Sequence, residues 1–272
     1  MVSTSRGAHS AVSVKGAGSS AAGSCTVIDT FTASVGEAEV AVLMPVHNEA
    51  GIIENVVLDF YKTISHRMRA EIVLSEDGSV DGTREVIAHL AKEMPLKATL
   101  SPMRKGYAGG IRDGLELVSA KYVLIADSDG QLGAEDFWKL WGLKEKFDIV
   151  SGYRLHRADS VNRKFMSQVF QMMNRSLLRL PKFRDVTSPY KLMKSDLAKR
   201  VTGGFKYMNE SFWTEFTVRA VQEGCSIVET PVNHRIRANG GTRVYKVSKI
   251  PKIVLAQSVG LLKLWRELRE PA

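Results

Sequence analysis

Asp127-Ser128-Asp129-Gly130-Gln131 follows directly on the apolar run Tyr122-Val123-Leu124-Ile125-Ala126. A buried strand ending in two carboxylates one residue apart sends both toward one point, and such a pair is unfavourable unless a cation sits between them. Oxygen ligands suit a divalent ion, and that ion can clamp a diphosphate. The run therefore predicts a metal–diphosphate site serving a nucleotide-activated substrate. A calcium loop is the rival, but it wants a further acidic or amide ligand before its glycine and a distant glutamate. Gly130 comes too early for that.

Three other segments carry polar groups of the same kind. Pro45-Val46-His47-Asn48-Glu49 leaves an apolar run and offers backbone groups and a carboxylate to a base or ribose; the plain alternative is a strand-to-helix turn capped by Asn48. Glu76-Asp77-Gly78-Ser79 follows another run, where Asp77 can accept from a base N–H or close an ordinary Asx turn. Arg104-Lys105-Gly106 precedes Gly109-Gly110 and a helix start, a turn suited to phosphate, with a solvated lysine as the alternative. Its glycine spacing matches neither a Walker nor a dinucleotide fingerprint, which excludes kinase and dehydrogenase chemistry.

Positioning these groups falls to an alternating pattern that begins at Glu39. Strands are expected at residues 40–44, 71–74, 98–100 and 122–126. Helices are expected at 50–65, from Ser79 or Asp81 to about Lys92, and at 108–119. The pattern predicts an α/β fold with a mostly parallel sheet and helices on both faces, and ligands in such sheets sit at the carboxyl ends of the strands. Further on, helices are expected at 134–143, 161–178, 210–223 and 253–265, with strands at 148–152, 190–193 and 226–232. Residues 1–38, rich in Ser, Ala and Gly without a period, read as a flexible tail.

A chain of 272 residues with 44% hydrophobic and 25% charged residues is ordinary for a globular protein. Its net charge of +9 is unevenly spread. Residues 39–149 hold 13 Lys/Arg against 18 Asp/Glu, whereas residues 150–272 hold 23 against 9. The acidic half carries the candidate metal turn, and the basic half should face an anion such as a nucleic acid, a lipid phosphate or a membrane surface. The two cysteines, Cys25 and Cys225, have no metal-ligand spacing, so a reducing compartment is expected. No run reaches the roughly 18–20 apolar residues of a membrane span, and the first residues lack a signal-like apolar core. The stretch 253–265 is short, with Lys246, Lys249 and Lys252 before it and Arg266 and Arg269 after it. It reads as a basic amphipathic helix within 246–272 lying in a membrane interface, the alternative being a helix packed on its own domain.

Five segments in order resemble a known family: Val42-Leu-Met-Pro-Val-His-Asn-Glu49, Glu76-Asp-Gly-Ser79, Lys105-Gly106, Asp127-Ser-Asp-Gly-Gln131 and Asp185-Val-Thr-Ser-Pro-Tyr190. They look like family 2 glycosyltransferases, in the dolichol-phosphate mannose synthase and bacterial polyprenyl-phosphate glycosyltransferase branch. The resemblance covers roughly residues 40–245 and implies a GT-A type, Rossmann-like domain, with 39–149 as the nucleotide-sugar half and 150–245 as the acceptor half. It places the nucleoside against Pro45, Val46, Glu49 and Asp77, with Lys105 and Asp127 also on the nucleotide. It assigns Mg²⁺ or Mn²⁺ to Asp127, Asp129 and Gln131, with Asp127 and Asp129 counted among the catalytic groups. Many relatives carry an apolar residue at the position of Gly130.

The acceptor follows from the basic half. Residues 150–191 hold nine Lys/Arg and two Asp/Glu. Arg163 and Ser167 lie four apart on one helix face, and Arg154 follows a strand. Two guanidiniums and a hydroxyl match a phosphate monoester; Arg157 and Lys164 read as solvated helix charges. The resemblance places the lipid phosphate at Arg154, Arg163 and Ser167, both arginines acting in catalysis. It also implies a late loop over the diphosphate, here Asn233-His-Arg-Ile-Arg237 and Gly240-Gly-Thr-Arg243, with Arg237 and Arg243 as its cations and Thr242-Arg243 where Ser-Lys is usual.

Expected partners are a nucleotide-sugar donor (GDP-mannose or UDP-glucose), a polyprenyl or dolichyl phosphate, and a membrane surface at its cytoplasmic face. A membrane-protein partner is compatible with this set; nucleic acid is not. A glycosyltransferase using a soluble or saccharide hydroxyl is the alternative. It would require a carboxylate base, for which Glu210 and Glu215 are the candidates. A nucleotidyltransferase is a weaker alternative. A nucleic-acid-binding module would leave the paired carboxylates idle.

Overall fold

The computed structural model describes residues 15–16, 25–30, 38–155, 178, 180–235 and 250–269. Two short strands come first, β1 (Lys15–Gly16) and β2 (Thr26–Asp29). The alternating unit follows: β3 (Val40–Val46), α1 (Ile53–Ser65), β4 (Ala70–Asp77), α2 (Thr83–Glu93), β5 (Lys97–Ser101), α3 (Tyr107–Leu117) and β6 (Tyr122–Ile125). A 3-10 turn at Ala134–Asp136 leads into α4 (Phe137–Trp141) and β7 (Ile149–Arg154). The chain continues through β8 (Lys191–Lys194), α5 (Ser195–Gly203), a 3-10 turn at Asn209–Ser211, α6 (Phe212–Gln222), β9 (Ile227–Val232) and α7 (Ile250–Glu267).

All nine strands join one sheet in the order β1-β2-β5-β4-β3-β6-β8-β7-β9. The four strands β5-β4-β3-β6 are mutually parallel, as is the β7–β9 pair. Antiparallel β8 links these two blocks, and β2 closes antiparallel on β5. Strand side chains alternate between faces, so each near-continuous apolar run feeds two cores. Val40, Val42 and Met44 pack with Ile53, Val57 and Phe60 of α1 and Ile87 of α2. Ala41 and Leu43 pack on the other face with Ile111 and Leu115 of α3, and α5 and α6 join that layer through Leu197, Val201 and Phe216. Each fully buried side chain of this size contributes about 1.5–3 kcal/mol.

The chain runs from β3 outward to β4 and β5, then crosses back to β6 on the other flank of β3. Strand order thus reverses between β3 and β6, the place at which ligands bind in sheets of this kind, outside the carboxyl ends of the strands. Pro45–Glu49 and Asp127–Gln131 lie at those two carboxyl ends.

One sequence expectation needs correcting, and two helices add to what the sequence suggested. The supposed tail supplies β2, where the β-branched run Thr26-Val27-Ile28 pairs with Ala98–Leu100 and Ile28 is buried. Helix α5 was not anticipated, because three charged residues in nine mask the buried stripe of Leu197, Ala198, Val201 and Thr202. Helix α7 has an inner face docked on its own domain: Leu261 and Leu264 are buried, Gln257 Nε2 donates to Ser211 Oγ at 2.7 Å, and Glu267 pairs with Arg219 at 3.0 Å. Its outer face exposes Val259 and Leu262 beside Lys263, Arg266 and Arg269. No helix among the described residues is long and apolar enough to cross a membrane. The helix expected at 161–178 lies outside the described residues, apart from Leu178.

Candidate active site

The strand-end loops are laced to one another. His47 Nδ1 meets the Asp77 carbonyl at 2.8 Å, the Asn48 N–H donates to Ser79 Oγ at 2.9 Å, and the Val80 N–H returns to Asn48 Oδ1 at 2.9 Å. The Glu49 N–H donates to Thr83 Oγ1 at 3.0 Å. Asn48 holds a left-handed φ of 56°, which asparagine tolerates, and it braces the β4 loop rather than capping α1. The β5 loop joins through Asp77, whose two oxygens accept the N–H groups of Lys105 (2.5 Å) and Gly106 (2.8 Å). A carboxylate at that point also suits the N-terminal end of α3. Gly78, at φ 67°, lies so close that a Cβ would stand 2.7 Å from Arg104 N and Met103 C. Lys105 pairs with Asp113; burial pulls its ammonium down, but that carboxylate outweighs it and holds the pKa above the usual lysine value.

Asp127, Asp129 and Gln131 sit half-buried on the turn after β6, tied to the β3 loop by Ser128 Oγ donating to the Pro45 carbonyl at 2.8 Å. Val46 turns into the core, while Pro45 and Glu49 stay half-exposed. Asp129 Oδ1 accepts the Gln131 N–H at 3.1 Å, and no Lys or Arg pairs with Asp129 among the described residues. Gly130 takes a φ of 72°, and a Cβ there would press within 2.9 Å of Ile52 Cδ1. The three side chains offer oxygen donors, the ligand chemistry of Mg²⁺ or Mn²⁺. Two carboxylates alone make no closed metal cage, and no cluster of three His, Cys, Asp or Glu is present among the described residues. A bound diphosphate would complete such a coordination shell.

Asp127 Oδ1 receives the Tyr107 O–H at 3.0 Å, and Tyr107 in turn accepts the Trp213 indole N–H at 3.0 Å. Burial, then the Asp127 charge, push the Tyr107 phenol well above its ordinary pKa, so it stays protonated. The start of the late loop also reaches this turn. The Arg235 N–H donates to the Gln131 carbonyl at 2.8 Å, and Leu132 bridges to His234. Arg237, Thr242 and Arg243 lie outside the described residues.

In the basic half, Arg154 gives its guanidinium to Asp185 through Nε (2.7 Å) and Nη2 (3.0 Å), with Thr187 Oγ1 also at 3.0 Å. Glu229 accepts the Arg184 and Asp185 N–H groups at 2.6 and 2.8 Å, so this segment is pinned from two strands. Arg154 therefore anchors the 185–190 segment, a role the sequence reading did not include. Arg157, Arg163, Lys164 and Ser167 lie outside the described residues. Glu215, one base candidate, is fully buried. It accepts the N–H groups of Lys206, Tyr207 and Met208, each at 2.8 Å, and pairs with Arg219 at 2.7 Å. Those bonds commit it to holding a loop. Nothing is described of the Glu210 side chain.

Lys191 was also missed, although a lysine inside the buried run Tyr190-Lys-Leu-Met was a visible signal. It is wholly buried, donates to Ser151 Oγ at 2.8 Å, and lies 5.2 Å from the Trp213 ring centroid. Burial lowers its pKa from 10.5 to about 8, against the opposing pull of Asp185 and Glu229. Between those two values the unfolded chain binds more protons than the folded one, so stability should rise with pH there. The gain from this group amounts to about 3 kcal/mol. Denaturant titrations at pH 8, 9 and 10 should show that rise in the parent and a flatter profile in Lys191→Met. Identical slopes would count against it.

Comparison with known proteins agrees with this fold. A family model described as Glycosyl transferase family 2 matches residues 41–202. The chain is similar to a dolichyl-phosphate beta-glucosyltransferase of Dictyostelium discoideum, 23% identical over 214 residues, covering 71% of this chain and 65% of that one. It is also similar to a dolichol-phosphate mannosyltransferase of Pyrococcus furiosus, 26% identical over 215 residues, covering 76% and 59%. The chain thus spans less than two thirds of the length of either relative. Among solved structures, a mannosyltransferase from Pyrobaculum calidifontis in complex with GDP-Man and Mn²⁺ matches with a TM-score of 0.59 and 19% identity, covering 88% of this chain and 66% of that one. A glucosyl-3-phosphoglycerate synthase from Mycobacterium tuberculosis in complex with Mn²⁺, UDP and phosphoglyceric acid gives 0.62 and 16%, covering 86% and 80%. At these identities the structural likeness is one of fold.

Proposed function

The chain belongs to glycosyl transferase family 2, and on that premise we propose that it transfers a hexosyl group from a nucleotide sugar to a polyprenyl phosphate. The observation that carries this reading is the Asp127–Gln131 turn at the strand-order reversal, with the three neighbouring strand-end loops laced beside it. The names of the two dolichyl-phosphate transferase relatives support the acceptor class.

Pro45, Glu49 and Asp77 form the nucleoside side in this reading, Val46 offering only its backbone because its side chain is in the core, and Lys105 stands on the phosphate side. Asp127, Asp129 and Gln131 would hold Mg²⁺ or Mn²⁺, which supplies charge neutralisation for the departing diphosphate. Transfer breaks the bond from the anomeric carbon to the diphosphate oxygen, and the electron pair leaves with the nucleoside diphosphate. A phosphate oxygen of the acceptor forms the new bond from the opposite side, inverting the centre. A phosphate monoester, with a second pKa of about 6, is mostly dianionic at neutral pH and needs no proton removed. The commitment of Glu215 to backbone donors fits that demand better than a hydroxyl acceptor, which needs a free base. Arg154 and Arg163 hold the attacking phosphate beside Ser167, and Arg237 and Arg243 close over the diphosphate. The outer face of α7, with Val259 and Leu262 among Lys263, Arg266 and Arg269, rests on an anionic lipid surface.

The test is direct. The protein is incubated with Mn²⁺ or Mg²⁺, GDP-mannose or UDP-glucose, and a polyprenyl phosphate in anionic vesicles. Glycosylated lipid is the expected product; transfer only to free sugars or other soluble hydroxyls would refute the acceptor assignment. Arg163→Ala should raise the KM for polyprenyl phosphate by at least about tenfold, the worth of a charge-assisted phosphate contact, and leave nucleotide binding unchanged. Equal loss of both would contradict the division of labour.

A further inference from the structure

We propose that Tyr107 is a positioning residue that fixes the rotation of the Asp127 carboxylate, and that Trp213 sets the direction of its hydrogen bond. The inference rests on the functional reading above for the role of Asp127. An indole N–H can only donate. At 3.0 Å from Trp213 Nε1 the phenol oxygen must therefore accept, and its own proton points to Asp127 Oδ1, also at 3.0 Å. The direction of the chain is thus Trp213 to Tyr107 to Asp127, with a charge-assisted last link.

The ring is held as firmly as its hydroxyl. Tyr107 packs edge-on to Trp213 at 6.3 Å between centroids and against Phe212 at 5.9 Å, and both partners are buried residues of α6. Beyond Trp213, the Lys191 ammonium lies 5.2 Å from the indole and is bonded to Ser151 of β7. One continuous line of contacts therefore joins the metal turn after β6 to the β7–β8 pair, which leads into Arg154. Tyr107 is also the first residue of α3, whose approach is pinned by Asp77. The nucleotide-side loops and the α6 layer thus converge on one carboxylate.

Tyr107→Phe removes a single oxygen and keeps the ring. It should weaken Mn²⁺-dependent binding of UDP or GDP about tenfold by calorimetry, as expected for one hydrogen bond to a charged group. Thermal unfolding should move far less than for a buried truncation. Trp213→Phe should weaken the same binding in the parent, yet add nothing in the Tyr107→Phe background, because it acts through the missing hydroxyl. Unchanged affinity in Tyr107→Phe, or additive losses in the pair, would overturn the proposal; if Trp213→Phe does not fold, Tyr107→Phe decides alone. A parent protein that binds neither nucleotide with Mn²⁺ would instead sink the functional reading. The same cycle in unfolding temperature would then judge the link by itself, sub-additive shifts supporting it and additive ones removing it.

Discussion

Asp129→Ala should lower sugar transfer by about a hundredfold to a thousandfold and leave the fold almost untouched. The second half of that expectation follows from its surroundings. Asp129 is half-buried, and its described hydrogen bond is the local one from the Gln131 N–H, which water can replace. The first half follows from charge. In the proposed transfer the departing nucleoside diphosphate gains negative charge as the glycosidic bond breaks, and stabilising it is worth several kcal/mol at about 1.4 kcal/mol per tenfold in rate. Asp129→Asn separates charge from geometry, because the amide oxygen can still accept the Gln131 N–H. It should lose nearly as much activity as Asp129→Ala. Transfer rates at saturating Mn²⁺, with circular dichroism as the fold control, decide the matter. Activity within a few-fold of the parent in either variant would remove Asp129 from the reaction.

Why the Asp127–Gln131 turn was readable as the end of a strand while its supports were not is a matter of range. Alternating apolar runs and turn residues are local signals, so the frame from β3 to β6 and the strand ends it aligns could be read directly from Val40 to Gln131. Parallel strands need long crossovers, which fixes their carboxyl ends on one side of the sheet. The pairings that set each side chain are long-range. Tyr107 meets Trp213 across 106 positions in sequence, and Lys97 reaches Glu71 across 26 in a buried ion pair. Nothing near Trp213 or Glu71 in sequence announces those partners. The family resemblance supplied candidate roles for Arg154 and Asp77, but not the competing local bonds: Asp185 on the one, the Lys105 and Gly106 N–H groups on the other. Strand β2 failed for a related reason, since a strand of four residues becomes visible only once β5 is there to pair with it.

Asp185→Ala should destabilise the protein by about 3–5 kcal/mol, the usual result of taking the carboxylate out of a largely buried ion pair. The Arg154 side chain is 14% exposed and that of Asp185 6%, joined at 2.7 Å, and Thr187 shares both partners. Arg154→Met should cost less, because the stem is retained and Asp185 still receives the Thr187 hydroxyl and the Arg154 backbone N–H. Replacing the pair together, Arg154→Met with Asp185→Leu, should recover most of the loss, since apolar residues of similar volume often replace a buried pair at little cost. That double variant also separates two roles for Arg154. If the guanidinium only anchors the 185–190 segment, restoring stability restores use of the acceptor. If it also touches the acceptor phosphate, the KM for polyprenyl phosphate stays high in a protein whose urea midpoint has returned. The proposed contact between Arg154 and the acceptor phosphate expects the second outcome, and a double variant with parental stability and parental KM would assign Arg154 to the scaffold alone.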